Sequence, residues 1–158
     1  MRHARKLARN AELIGDVGRR LIELARVQPG MELLDVACGT GNAAIPAAQS
    51  GARVIGLDPS ADMLAVARER AADCMIEVDW VEGDPTKLPF GAASFDRLVS
   101  VFGPDDERIA EEMRRVCRPG GAIAVAGWDG VLAAGVVERG TLDWDGVPRE
   151  YALAVLPT

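Results

Sequence analysis

Apolar residues recur along the chain with two alternating periods. Ile14, Val17, Leu21, Leu24 and Ala25 stand at helical spacing and predict an amphipathic helix over 10–26, ended by Pro29-Gly30. Met31–Ala37 is a short apolar run leading into a turn of small residues, the pattern of a buried strand. Residues 42–50 are alanine-rich and closed by Gly51, which reads as a helix with a C-terminal glycine; Pro46 is tolerated if it lies in the first turn. Arg53–Asp58 reads as a second strand. Residues 61–73 read as a helix with Met63, Leu64, Ala67 and Ala71 inward. Ile76, Val78 and Trp80 alternate with Glu77 and Asp79, as in a half-exposed strand. Phe95–Val101 is a further strand. Asp105 or Asp106 caps a helix that turns Ile109, Met113, Val116 and Cys117 inward. Arg118-Pro119-Gly120-Gly121 breaks that helix, and Ala122–Trp128 follows as another apolar strand.

This alternation predicts an α/β fold: a Rossmann-like, mostly parallel sheet with helices on both faces. Ligands of such sheets sit outside the carboxyl ends of the strands, where the strand order reverses. After Trp128 the pattern changes. Trp128–Val131 and Trp144–Val147 repeat one tetrapeptide, Trp-Asp-Gly-Val, and Asp-Gly between strand-like runs signals a tight hairpin. Only residues 129–135 separate Trp128 from Val136, whereas a helical crossover needs about 10–12 residues. The expectation is therefore antiparallel C-terminal strands in a meander, with the last crossover helix missing or supplied by another subunit. The chain reads as one domain over 1–158, with an N-terminal helical segment at 1–28 and shortened C-terminal strands at 129–158.

Composition narrows the function classes. With 158 residues the chain has the size of one domain, and its hydrophobic fraction of 49% can build a core. The net charge of −6 argues against a protein that coats nucleic acid. Residues 1–26 hold seven of the cations against Glu12, Asp16 and Glu23, which reads first as a solvated helix face. Cys38, Cys74 and Cys117 have no metal-ligand spacing, and the one histidine, His3, lies at the N-terminus. Neither a metal site nor a histidine-based active site is expected. No apolar run reaches the ~18 residues of a membrane span, and the start lacks a signal-peptide core, so a cytoplasmic location is expected.

The chemistry is carried by Leu33–Asn42, a strand running into a turn with small residues at Ala37, Gly39 and Gly41 and then a helix. Small residues let a ligand approach the backbone, and the helix start offers free N–H groups. Gly39–Ala44 literally matches the dinucleotide pattern G-x-G-x-x-A, with Asp58 ending the next strand. Asp35, two residues before the first small position, is unfavourable beside a pyrophosphate and favourable beside a cationic amino-acid group.

The chain resembles the class I S-adenosylmethionine-dependent methyltransferases of the broad type-11 group. The matching blocks are Asp35–Gly41, Gly56–Ser60 with Met63, Glu82–Asp84 followed by Leu88–Phe90, Ser94–Asp96 leading into Val99–Val101, and Arg115–Gly121. They cover roughly residues 30–127 in the family's order. The resemblance implies S-adenosyl-L-methionine as cofactor and S-adenosyl-L-homocysteine as product. Asp35 and the backbone of Ala37, Gly39 and Gly41 would hold the methionine end. Asp58, with Pro59 beside it, would take the ribose hydroxyls. Met63, Gly83, Asp84 and Pro85 would surround the adenine, and Ser100 and Val101 would line the methyl side. Relatives often have Ala where Pro85 stands, so one adenine hydrogen bond is expected to be missing. Asp96, Trp80 and Trp128 read as structural.

The expected activity is methylation of a small molecule. The alternatives are a cofactor-binding domain without its own catalysis, such as a partner subunit, and a nicotinamide-dependent oxidoreductase. No catalytic residue is identified; a base would come from Asp105, Asp106, Asp129 or Tyr151. The shortened tail also predicts a homodimer, formed through the C-terminal strands or through sheet left bare around Ala122–Trp128.

Overall fold

The computed structural model describes residues 2–128 and 135–157, with the backbone alone for 2–10 and 157. Among these residues, seven strands form one mixed sheet in the order β3-β2-β1-β4-β5-β7-β6. β1 (Glu32–Val36) pairs in parallel with β2 (Arg53–Asp58) and β4 (Phe95–Val101), so the chain reverses its winding direction at β1/β4. β3 (Asp79–Glu82) extends β2, and β5 (Cys117–Trp128) extends β4, both in parallel. β7 (Val147–Pro157) lies antiparallel to β5, and β6 (Val136–Trp144) antiparallel to β7.

Helices cover both faces. α1 (Arg2–Leu24) and α2 (Ala44–Gln49) pack Val17, Leu21, Ala44 and Ala47 against Leu33, Val54, Val99, Ala124 and Leu153. α3 (Ala61–Asp73) lies along β2 and β3. On the opposite face, α4 (Glu107–Val116) packs Ile109, Met113 and Val116 with Leu34, Leu98 and Ile123. None of the described helices is long and apolar enough to cross a membrane.

Several boundaries differ from the sequence reading. α1 starts at Arg2, eight residues before the predicted helix. Met63 is 47% exposed, so α3 turns Leu64, Ala67 and Ala71 inward but not Met63. β3 starts at Asp79; Ile76 and Val78 precede the strand. Arg118–Gly121 does not separate helix from strand. β5 already pairs Cys117 with Phe95, and the register then jumps to Ala122 opposite Arg97, so Arg118–Gly121 is an insertion within the strand.

The tail is a hairpin but not a simple meander, because β7 inserts between β5 and β6. Its turn is Asp145-Gly146, with φ of 58° and 79°, the left-handed pair that a two-residue hairpin loop demands. The other Asp-Gly pair, at 129–130, lies outside the described residues. The short β5–β6 connection is explained by register. Val136 stands level with Ala154 and hence with Val125, so β6 starts only three rungs below Trp128. An aromatic cluster ties the hairpin to the carboxyl end of the sheet: Phe102 stacks on Trp128 at 4.5 Å, and Trp144 meets Trp128 edge-on at 5.7 Å. Bare sheet around Ala122–Trp128 is found only in part. Ile123, Ala152 and Ala154 are buried, while Val125 and Leu156 are half-exposed.

Candidate functional site

The switch point between β1 and β4 places a glycine loop, Ala37–Gly41, at the carboxyl edge of the sheet. Ala37, Gly39 and Gly41 all have left-handed φ, at 55°, 54° and 89°. Gly41 is needed twice over, because an added Cβ would also press on Trp80 at 3.0 Å and Ile45 at 3.2 Å. Above Gly39 a Cβ would meet nothing within 4 Å, so its open side is available to a ligand. Trp80 is thus a packing residue beneath the loop, as expected.

Behind the loop lies Asp35. It is 1% exposed; its Oδ2 accepts the Ala44 N–H at 2.9 Å, and its Oδ1 has no hydrogen-bond partner among the described residues. Burial, reinforced by the nearby Asp58 charge, pushes its carboxyl up to about 8 against the Ala44 hydrogen bond. A buried acceptor left unpaired is costly, and it fits a donor, cationic for preference, that arrives with a ligand.

Asp58 ends β2 and is 8% exposed. Its two oxygens bridge two loops: Oδ2 accepts from Gly39 N and Oδ1 from Ser60 N, both at 2.9 Å. A carboxylate has about four acceptor positions, so two remain for hydroxyl groups. The helix cap itself is Ser60, whose Oγ accepts from Met63 N at 3.2 Å. Pro59, Gly83, Asp84 and Pro85 line one shallow cleft beside Glu82. Asp84 closes a turn through Oδ1, which accepts from Thr86 N at 2.8 Å and Thr86 Oγ1 at 2.6 Å. These bonds hold its carboxyl below the usual range. Pro85 is buried and has no N–H to offer.

Ser100 is buried and Val101 half-buried at the end of β4, beside the start of the glycine loop. Asp96 is structural, accepting from Glu32 N at 2.9 Å and pairing with Arg118 at 3.0 Å.

Two residues of this edge escaped the sequence reading. Arg70 of α3 donates from one nitrogen to Thr40 O at 2.8 Å, Thr40 Oγ1 at 2.9 Å and Asn42 Oδ1 at 3.0 Å, bracing the loop. Nothing local marks it, because its targets lie about thirty positions earlier. Gly103 sits where an added Cβ would come 2.5 Å from Ser100 Oγ and 3.5 Å from Ala37 Cβ. A glycine just past a strand's carboxyl end was the available signal. Beside it, Phe102 has a left-handed φ of 51°, a strained state for a bulky residue, held by its N–H to Ala126 O at 2.8 Å.

A doubly wound sheet whose seventh strand runs antiparallel between β5 and β6, with a glycine loop at its switch point and an acidic residue ending β2, defines the class I methyltransferase architecture. The all-parallel dinucleotide fold has the order 3-2-1-4-5-6 instead, which sets the nicotinamide reading aside. Residues 33–121 match the methyltransferase domain family, and the chain belongs to the class I S-adenosylmethionine-dependent methyltransferases. An uncharacterized protein of Mycobacterium tuberculosis is 39% identical over 121 residues, covering 74% of this chain and 44% of the relative. A demethylmenaquinone methyltransferase of Renibacterium salmoninarum is 38% identical over 112 residues, covering 68% of this chain and 46% of the relative. The chain thus spans less than half the length of these relatives. The crystal structure of a magnesium protoporphyrin IX methyltransferase from Synechocystis with bound SAM shares the fold, with a TM-score of 0.68, 19% identity, and coverage of 94% of this chain and 80% of that one.

Proposed function

We propose that the chain binds S-adenosylmethionine across the carboxyl edge of β1, β2 and β4 and transfers its methyl group to a small molecule. The observation that carries this reading is the unpaired, buried Oδ1 of Asp35 behind an open glycine loop. A cofactor with a cationic amino-acid end supplies the donor that this oxygen lacks. Ala37–Gly41 would approach the same end through the backbone. Asp58 would accept from the ribose hydroxyls with its remaining lone pairs. Pro59, Met63, Gly83, Asp84 and Pro85 would enclose the adenine, and Ser100 and Val101 would line the methyl side.

When bound, the cofactor supplies an electrophilic methyl group on a positively charged sulfur. The chain's contribution is then position: a rigid loop, braced by Arg70, fixes the donor, and alignment with the acceptor accounts for much of the acceleration. Among the described base candidates, Asp106 caps α4 and pairs with Arg108 at 2.8 Å, and Tyr151 packs in the aromatic cluster. Asp105 is exposed in the loop between β4 and α4 and is the one with no such structural duty. Asp129 lies outside the described residues. The relative named for demethylmenaquinone supports a flat, apolar acceptor.

Titration calorimetry with S-adenosylhomocysteine tests the reading. The wild type should bind, and Asp58→Ala should weaken binding by about 1.5–3 kcal/mol, the range for hydrogen bonds to a charged group. Unchanged affinity in a folded Asp58→Ala protein removes its ribose role. The engagement of two base candidates in structure favours a second reading, cofactor binding without catalysis. Methyl release across a panel of acceptors separates the two.

A further inference from the structure

On the α4 side of the sheet, a cavity of about 510 Å³ opens between α4 and the strands β5 and β7. Its walls are apolar: Ile109 and Met113 from the helix, Ile123, Val125 and Leu156 from the strands. The volume falls within the roughly 300–1,000 Å³ of small-molecule sites. The chain itself accounts for the space. Only residues 129–135 join β5 to β6, too few for the helix that a longer crossover would lay on this face.

Part of the cavity's polar lining is shared with the cofactor edge. Ser100 and Gly103 line it, and the same Gly103 stands against Ser100 Oγ and Ala37 at the start of the glycine loop. The rim charges among the described residues are Asp105, Asp106, Glu107 and Arg114. Asp106 pairs with Arg108 at 2.8 Å, and Arg114 is taken by Glu107 at 2.6 Å. No cation of that rim is left to neutralise an anion, and Asp105 would repel one.

We infer that this cavity is the acceptor site: it binds a neutral, largely apolar small molecule whose nucleophilic end lies between Ser100 and Gly103. The inference rests on the methyltransferase reading above. It places the acceptor's body against sheet and helix surface rather than above the sheet edge.

The test uses the full chain with N-phenyl-1-naphthylamine, a neutral apolar dye that brightens when it leaves water. One dye should bind per chain. Ala110→Phe, which fills the cavity from α4, should weaken dye binding at least tenfold and change S-adenosylhomocysteine affinity less than twofold. Val125→Phe does the same from the sheet, so a folding defect in one variant does not decide the matter. Because Ser100 and Gly103 are shared, saturating S-adenosylhomocysteine should shift dye affinity at least threefold. Full dye affinity in both folded variants, or affinity indifferent to S-adenosylhomocysteine, overturns the inference. So does dye affinity that rises as the protein is diluted, since a second copy would then be filling the cavity. Absence of S-adenosylhomocysteine binding in the wild type is a separate result and counts against the cofactor reading instead.

Discussion

Replacing Asp35 by asparagine should change how the protein's stability responds to pH. In the unfolded chain this carboxyl has an ordinary value of 3.8, whereas in the fold burial raises it to about 8. Between these values the folded state holds one proton more than the unfolded state. The stability it contributes is therefore complete below pH 4 and is lost as pH rises towards 8, by at most about 1.4 kcal/mol per unit. The whole window is worth at most about 6 kcal/mol by the same conversion. From pH 5 to 7 the loss is about 3 kcal/mol, which in a domain of this size lowers the melting temperature by roughly 6–12 °C. The amide oxygen of the asparagine would still accept the Ala44 N–H, and the side chain carries no charge at any pH, so that part of the slope should vanish.

The assay is thermal unfolding of wild type and Asp35→Asn from pH 5 to 8 without ligand. The carboxyls held low by hydrogen bonds, Asp84, Asp96, Asp106, Glu112 and Glu138, titrate below this window and are common to both proteins. The gap between the curves should widen steadily from pH 5 to pH 8, with the variant the more stable at pH 8. Parallel curves would show that Asp35 ionises normally in the fold, and the argument from its unpaired oxygen would fail. A cationic ligand beside Asp35 should reverse the burial effect, so S-adenosylmethionine binding at pH 7 should release a proton. Calorimetry in buffers of different ionisation enthalpy reads that proton directly.

The other predictions concern the loop, the cleft and the sheet edge. Arg70→Ala removes three hydrogen bonds to Thr40 and Asn42 and should weaken S-adenosylhomocysteine binding about tenfold, order-of-magnitude for hydrogen bonds to a charged group. Arg70→Lys should recover part of that loss, and equal affinities in all three proteins would show the brace is idle. Pro85→Ala should tighten the same binding by about 1 kcal/mol by supplying an N–H to the cleft; equal or weaker binding in calorimetry argues against a missing adenine bond. β6 is an edge strand with Val137 56% exposed, so a homodimer through this edge should appear in light scattering at micromolar concentration and be lost in Val137→Lys. A monomer at high concentration refutes it.

How much of this was legible in the sequence depended on range. Arg53–Asp58, Phe95–Val101 and a cap at Asp105 or Asp106 follow from local pattern; the structure agrees on both strands and places the cap at Asp106. The glycine loop was legible for the same reason, since positive φ at Gly39 and Gly41 leaves a mark in the sequence itself. Met63 misled because helical periodicity marks a stripe but not its edge, and Met63, in the first turn of α3, lies outside the buried stripe of Leu64, Ala67 and Ala71. Arg118–Gly121 misled because proline and glycine signal a break without saying whether pairing resumes in the same strand. Here Cys117 is already paired with Phe95 before the insertion. Arg70 and Gly103 act on partners that only the fold brings near.

The β5–β6 connection shows where a length argument ends and a register argument begins. A minimum of about 10–12 residues holds when a crossover must return to the start of the next strand. With Val136 level with Val125, the chain returns over three rungs and passes one strand, β7. The seven residues between the strands are fewer than a helical crossover takes. The order β5-β7-β6 can therefore form without the covering element that longer crossovers lay on the sheet. What the chain forgoes in packing there appears as the cavity beside α4, opening next to Ser100 and Gly103. One short connection thus sets both the strand order of the tail and the space available to an acceptor.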